Sequence, residues 1–470
     1  MLTLNSIFDW FGLALFLYMI GASLFYLVLF IFSFLVLRKE KGLNKQVPYE
    51  DLLISEDTKP ISILVPAFNE ESGIVSSVRS LLSMNYKEYE IIVINDGSTD
   101  QTLEKMILSY KMTAKTVTIR KQVPSNEIKT VYQSTLFDHL FLVDKVNGGK
   151  SDALNAGINA SRFPYICTLD GDSLLEQDAL LKVMKPIIDS NEQVIATGGS
   201  VRIANGCVVE KGEVISVGLP SNPIVVMQII EYLRAFLIGR IGLSRHNLLL
   251  IISGAFGVFS KSWVIKAGGY ERGTVGEDME LVVRLHKLIV EEKSDKQLQY
   301  IPDPVCWTEA PDSFSILSRQ RTRWQRGLFE TLRTHKNMLM NPKFKKVGLI
   351  SMPYFLLIEL FGAVVEGLAY VYIVSGFLFS FISLEIGLLL LFVTWFYGCY
   401  ISMCGVLLEE WSLRRYPKKR HLLTLFFYAS TEMFWYRPLT VWWRLEGIWQ
   451  ALKKRSDWGV MTRKGISKDD

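Results

Sequence analysis

Ile61-Ser62-Ile63-Leu64-Val65-Pro66-Ala67-Phe68-Asn69-Glu70-Glu71 is the stretch that decides the architecture. An apolar, β-branched run breaks at a proline and opens into a polar turn, which reads as a strand buried on both faces. Residues 90–95, 140–144 and 165–169 have the same character, and each of these runs ends in a polar or glycine-bearing turn. Helical patterns separate them. Such alternation predicts an α/β domain over residues 60–314, with a mostly parallel central sheet and a ligand site outside the carboxyl ends of its strands.

The flanks read differently. Residues 11–37 carry no charge, and this length exceeds the roughly 20 residues that span a hydrocarbon core. Asp9 precedes the stretch, and Arg38, Lys39, Lys41 and Lys45 follow it, the reverse of a cleaved signal peptide. Residues 1–37 are therefore expected to be a retained anchor with its N-terminus outside, and 38–59 a juxtamembrane linker on the cytoplasmic side. Residues 315–346, rich in arginine and aromatics, are expected to form amphipathic interfacial helices. Within 347–452, two apolar stretches near 350–379 and 386–408 read as spans, joined outside near Glu385 and followed by the basic loop 414–420 inside. Glu432, Arg437, Pro438 and Arg444 interrupt residues 421–452, which predicts an interfacial or re-entrant hairpin broken at Pro438. A basic tail, 453–470, completes the chain. Glu359 and Glu366 lie seven residues apart and share one face of an apolar helix. Charges there seldom face lipid, so they are expected either to line a polar passage or to pair with Arg437 or Arg444.

Composition agrees with a chain partly immersed in lipid: 49% of its 470 residues are hydrophobic. A net charge of +5 suits an anionic leaflet and gives no argument for nucleic acid. The five cysteines, Cys167, Cys207, Cys306, Cys399 and Cys404, form no C-x-x-C pair and are expected to be reduced, buried thiols.

Six clusters carry the chemistry. Pro66, Asn69 and Glu70 close the first strand, and Asn95-Asp96-Gly97-Ser98-Thr99-Asp100 closes the second. Asp-Gly-Ser alone is a good turn, but set in adjacent parallel strands the two clusters make a nucleoside pocket in which a carboxylate meets ribose or base. Asn147-Gly148-Gly149-Lys150-Ser151 places a lysine after a glycine turn. It is not a Walker loop, since Asp144 stands where the first glycine is required; a turn with a lysine near phosphate and a purely structural turn both remain. Asp170-Gly171-Asp172 follows a buried strand, and two carboxylates spaced in this way can hold Mg²⁺ or Mn²⁺ against a diphosphate. Gly276-Glu277-Asp278 opens a helical pattern, where acidic residues complement the dipole or supply a base. Gln320-Arg321-Thr322-Arg323-Trp324 offers guanidinium groups for phosphate and an indole face for a sugar.

In this order and spacing the clusters resemble the inverting family 2 glycosyltransferases of GT-A fold, specifically the processive membrane branch that includes cellulose, hyaluronan, chitin and poly-N-acetylglucosamine synthases. The resemblance runs from about Pro60 to Arg326 and, more loosely, to a tail around Trp458 and Arg463 that resembles a nucleotide-gated loop. It implies that Asp96 contacts uridine, that Asp170 and Asp172 hold the metal-diphosphate and that Asp278, beside Glu277, is the catalytic base. It further implies that Ser253 and Gly254 lie by the acceptor sugar, and that Gln320, Arg321, Arg323 and Trp324 serve the diphosphate and the acceptor end. Gly276 departs from the threonine usual before the acidic pair. The implied partners are a UDP-hexose donor (N-acetylglucosamine or glucose), a growing polysaccharide and the plasma membrane, with the catalytic domain cytoplasmic. Secretion or accessory subunits are left open. Transfer of one sugar to a lipid carrier, or a sugar-nucleotide-binding scaffold without activity, are the competing readings.

Overall fold

The computed structural model describes residues 4–43, 51–55, 58–171, 173–210, 213–380, 384–416 and 418–453. The chain divides into two compact units, one of 39–220 and 247–310, the other of 1–38, 221–246 and 311–459.

The first unit is the α/β domain. Its strands are β1 (Ile61–Ala67), β2 (Tyr89–Asn95), β3 (Met112–Ala114), β4 (Ile128–Ser134), β5 (Leu140–Lys145), β6 (Tyr165–Leu169), β7 (Leu174–Leu175), β8 (Val194–Ile203), β9 (Val208–Glu210), β10 (Glu213–Ser216), β11 (Phe256–Ser260) and β12 (Gln297–Thr308). Ten of them form one sheet in the order β3-β4-β5-β2-β1-β6-β11-β8-β12-β7, with β9 and β10 a separate hairpin. The four central strands β5, β2, β1 and β6 are parallel, as expected, while β11 runs antiparallel between β6 and β8. The mostly apolar runs are the cause: β2 and β6 are buried almost throughout, which requires helices on both faces of the sheet. Among those helices, Lys150–Ala160 packs on β1 and β2, and Ala179–Asp189 on β8 and β12. Pairing of Ala67 with Asn95, and of Asn95 with Asp144, brings the ends of β1, β2 and β5 to one level. The loops that follow therefore open on one edge.

The second unit is helical. Among its described residues, three helices are long and apolar enough to cross a membrane: Phe8–Lys41, Val347–Leu378 and Gly387–Ser412. Residues 221–246, expected inside the α/β domain, belong here instead. The reason is local: Pro223–Leu233 buries Ile224, Val225, Val226, Met227, Ile229, Ile230 and Leu233, too many apolar faces for a helix lying on one side of a sheet. Phe314–Thr334 also differs from a helix floating at an interface, because it buries Arg321, Gln325 and Arg326 and packs along Tyr436–Leu452. A Cβ built on Gly447 would stand 2.6 Å from the Thr322 carbonyl oxygen, so only glycine allows this approach.

The hairpin expected to break at Pro438 breaks earlier. Lys419–Thr431 ends in a short 3-10 turn at Glu432–Phe434, and Tyr436–Leu452 then begins. Pro438 thus falls in a first helical turn, where its missing N–H has no intrahelical acceptor to lose. All five cysteines are free thiols, four buried and Cys207 half-buried. The tail residues Trp458 and Arg463 lie outside the described residues.

Candidate active site

The loop after β1 and the loop after β2 are tied together. Asn69, in the left-handed region at φ 55°, accepts from the Thr99 N–H at 2.8 Å and donates its own N–H to Ser98 Oγ at 3.1 Å. The Glu70 N–H donates to Thr102 Oγ1 at 2.9 Å. Pro66 approaches the β6 loop, since a Cβ built on Gly171 would lie 3.3 Å from its carbonyl oxygen. Phe68, between Pro66 and Asn69, is 49% exposed.

Asp96 stands at the end of β2, but its carboxylate is turned inward. Oδ1 accepts from Lys145 Nζ at 2.5 Å and the Gly148 N–H at 3.0 Å, and Oδ2 from the Gly149 N–H at 2.7 Å. With its side chain 4% exposed, this group shapes the Gly148–Gly149 turn rather than presenting itself to a nucleoside. The turn's N–H groups, which in a phosphate loop would face an anion, are thereby taken by a carboxylate of the chain. Gly149, at φ 85°, then caps the helix Lys150–Ala160, whose first side chain reaches the crevice.

That side chain is Lys150. Its ammonium lies 2.5 Å from Asp170 Oδ1 and 3.3 Å from Glu277 Oε1, and donates to the Gly254 carbonyl at 3.3 Å. Burial alone would push this ammonium down, but the Asp170 and Glu277 carboxylates, with Asp278 beyond them, hold it well above the ordinary lysine range. Asp278 Oδ2 accepts from the Gly254 N–H at 3.0 Å, and Oδ1 from the Met279 N–H at 2.8 Å. Gly254 is the point where the parts converge: a Cβ there would stand 2.9 Å from Lys150 Nζ and 3.5 Å from Asp278 Oδ2. Ser253, its neighbour, is half-buried. Lys150, Asp170, Gly254, Glu277 and Asp278, read from four separate places in the sequence, therefore meet in one crevice. Asp172 lies outside the described residues.

Among the described residues no three His, Cys, Asp or Glu side chains gather closely enough to hold a metal ion. Magnesium is commonly held by one or two carboxylates together with substrate phosphates. The half-buried Asp170 carboxylate, which faces a cation here, has the hard-oxygen chemistry that such a site requires.

Sequence reading missed the charges beneath the crevice. Lys145 is fully buried and bridges Asp96 to Asp152 Oδ2, the latter at 2.8 Å; Asp152 also has no exposed side-chain surface. Asp152 takes the Asn126 N–H at 3.0 Å and pairs with Arg272 at 3.3 Å. The only signal in the sequence is a lysine ending an apolar strand, where a solvated residue is the ordinary reading.

The 320–324 stretch belongs to the helical unit. Arg321 is not a free phosphate clamp there: its guanidinium pairs with Glu231 at 2.7 Å, where the Tyr436 hydroxyl also donates at 2.8 Å, and it lies 4.2 Å from the centre of the Trp324 ring. Gln320 accepts from Arg321 at 2.7 Å, and Arg323 is half-buried. Trp324 remains 44% exposed. The polar passage expected of Glu359 and Glu366 gives way to pairing. Glu366 accepts from both Arg437 Nε, at 2.7 Å, and Arg437 Nη2. Glu359 accepts from the hydroxyls of Tyr26 at 3.0 Å and Tyr354 at 2.5 Å, while Arg444 donates to its backbone carbonyl.

Comparison with known proteins matches residues 59–327, more than half of the chain, to the family described as glycosyltransferase like family 2, and residues 274–415 to chitin synthase. A poly-beta-1,6-N-acetyl-D-glucosamine synthase of Staphylococcus epidermidis is 29% identical over 78% of this chain and 79% of its own length. The protein of that name from Staphylococcus aureus is 28% identical over 73% of each chain. Among solved structures, a mannosyltransferase from Pyrobaculum calidifontis, in complex with GDP-mannose and Mn²⁺, covers 87% of this chain and 99% of its own at 16% identity and a TM-score of 0.49. Glucosyl-3-phosphoglycerate synthase from Mycobacterium tuberculosis, solved with Mn²⁺ and UDP-glucose, covers 61% of this chain and 84% of its own at 17% identity and a TM-score of 0.37. The extent of the family match, on a sheet whose strand ends carry the family's acidic motifs, makes this chain a glycosyltransferase of family 2.

Proposed function

We propose that this glycosyltransferase polymerises a β-linked polysaccharide from UDP-N-acetylglucosamine and passes it across the plasma membrane, its catalytic unit on the cytoplasmic side. The reading is supported above all by the Lys150, Asp170, Glu277 and Asp278 crevice, in which a partly exposed cation and a carboxylate held by backbone N–H groups stand side by side. The names of the staphylococcal relatives favour N-acetylglucosamine over glucose as the donor sugar.

Asp278 is the base. Its two backbone bonds fix the carboxylate at the start of a helix, and from there it removes the proton of the acceptor hydroxyl. The freed oxygen bonds to the anomeric carbon from the face opposite the nucleotide as the bond to the diphosphate breaks, so an α-donor gives a β-link and UDP departs. Lys150 exchanges Asp170 for the diphosphate and offsets its charge. Asp170, together with Asp172, would hold Mg²⁺ or Mn²⁺, which supplies further stabilisation of the leaving diphosphate. The exposed ring of Phe68 offers a face for the planar base, while Pro66, Asn69 and Glu70 shape the pocket and Asp96 supports it from beneath. Ser253 and Gly254 lie beside the acceptor, and Gln320, Arg323 and Trp324 serve the donor diphosphate and the acceptor end.

The test is to give the purified, detergent-solubilised protein single UDP-sugars with Mg²⁺ or Mn²⁺ and to measure UDP release and product length. Polymer from UDP-N-acetylglucosamine is expected. One sugar per acceptor would replace the processive reading with transfer to a lipid carrier, and binding without turnover would leave a scaffold.

A further inference from the structure

We propose that Lys145 is a positioning residue for donor binding, acting through Asp96 and the Gly148–Gly149 turn on the ammonium of Lys150. The proposal rests on the reading of Lys150 as a diphosphate contact.

A lysine with no exposed side-chain surface is costly unless its charge is met. Here all three donor directions are used: Asp96 Oδ1 at 2.5 Å, Asp152 Oδ2 at 2.8 Å and the Val146 carbonyl at 2.6 Å. Each carboxylate then organises backbone. Asp96 collects the N–H groups of Gly148 and Gly149 while its own carbonyl accepts from Asn147 Nδ2 at 2.7 Å. Asp152 lies in the first turn of the helix that Gly149 caps, and receives the Asn126 N–H. Lys145 thus links the last residue of β5, the loop after β2 and the start of the helix that carries Lys150. Without it, two buried carboxylates face each other with only Arg272, 48% exposed, beside Asp152. Their repulsion would act on Asp96, whose two oxygens hold the turn. The turn sets where Lys150 begins, and hence whether its ammonium reaches the diphosphate.

Lys145 touches neither donor nor acceptor in this scheme, so a double-mutant cycle decides the matter. The affinity of the detergent-solubilised full chain for UDP is measured calorimetrically for wild type, Lys145→Met, Lys150→Met and the pair. Lys145→Met is expected to weaken UDP about tenfold or more, as loss of a supporting shell does elsewhere. In the Lys150→Met background the same change should cost less than about twofold, because the side chain it positions is already gone. Equal losses in both backgrounds would overturn the proposal and leave Lys145 a packing residue. If Lys145→Met does not fold, the charge-balanced pair Lys145→Met/Asp152→Asn runs the same cycle, and failure of that variant to fold would also assign a purely structural role. A Lys150→Met variant that binds UDP like wild type would instead remove the underlying reading of Lys150.

Discussion

Two sets of buried charges in this chain follow opposite rules. In the crevice, Lys150 and Asp170 form a 2.5 Å pair whose side chains keep 21% and 26% of their surface open. In the helical unit, Arg234 meets Glu432 at 3.0 Å, Ser402 donates to the same carboxylate at 2.6 Å, and Glu432 is only 5% exposed. Glu359 is met by tyrosines, and Glu366 and Glu231 by arginines, of the same unit, but Glu366 and Glu231 keep 30% and 24% of their side chains open. Open pairs can trade a protein partner for a ligand at little cost, whereas closed pairs exchange only by leaving a charge unmet. The open Lys150–Asp170 pair is therefore suited to chemistry, and the closed Arg234–Glu432 pair to holding helices together.

The largest test of that contrast is Asp278→Asn. It should lower kcat by about 10²- to 10⁴-fold while UDP affinity holds, as read by UDP release and calorimetry; undiminished turnover would remove Asp278 as the base. Glu432→Ala should act on stability instead. Stranding Arg234 is expected to cost about 3–5 kcal/mol, seen as a lower Tm in detergent, and an unchanged Tm would mean the pair is not closed.

Protons offer the next probe. His286 is buried in the α/β unit and its Nε2 lies 2.8 Å from the Leu249 carbonyl oxygen, the arrangement of a neutral imidazole that donates. Burial pushes its pKa down to about 4, partly opposed by that hydrogen bond. A depressed histidine contributes stability that is complete above its unfolded value of about 6.5 and is lost as pH falls toward the folded one. Between pH 6.5 and 4 the domain should therefore lose on the order of 1 kcal/mol per pH unit, and His286→Gln should flatten that slope in a series of thermal melts.

Smaller effects sharpen the contrast from the packing side. Gly447→Ala sets a methyl 2.6 Å from the Thr322 carbonyl oxygen and 2.9 Å from Gln325 Cβ, and such overpacking typically costs about 1–3 kcal/mol. The surface pair Lys266–Glu292, with side chains 52% and 46% exposed, belongs to neither set. Lys266→Ala should shift stability by less than about 1 kcal/mol, and a larger shift in denaturant titration would mean that exposure does not separate active pairs from idle ones.

Much of the fold was legible because its signals are local. Four apolar runs with punctuating turns gave strands β1, β2, β5 and β6 within a residue or two, and the three long apolar stretches became the three helices, among the described residues, able to cross a membrane. The acidic motifs were legible for the same reason, as short strings at the ends of strands. The assignments that shifted depended on partners far along the chain. Arg321 looked like a phosphate clamp until Glu231, ninety residues away, took its guanidinium, and the choice for Glu366 between a channel lining and an arginine partner stayed open until Arg437 met it. Pro438 looked like a helix break because the start of its own helix could not be seen in the sequence.

By itself, the sequence determined the element types, the membrane-length helices and the set of residues able to do acid–base and phosphate chemistry, since periodicity, apolar length and side-chain functional groups are properties of short segments. Tertiary structure alone decided which charges are spent on one another and which stay open. A carboxylate's partner is settled by contacts made across dozens of residues, and the balance between desolvation and pairing that makes it structural or reactive exists only once those contacts have formed.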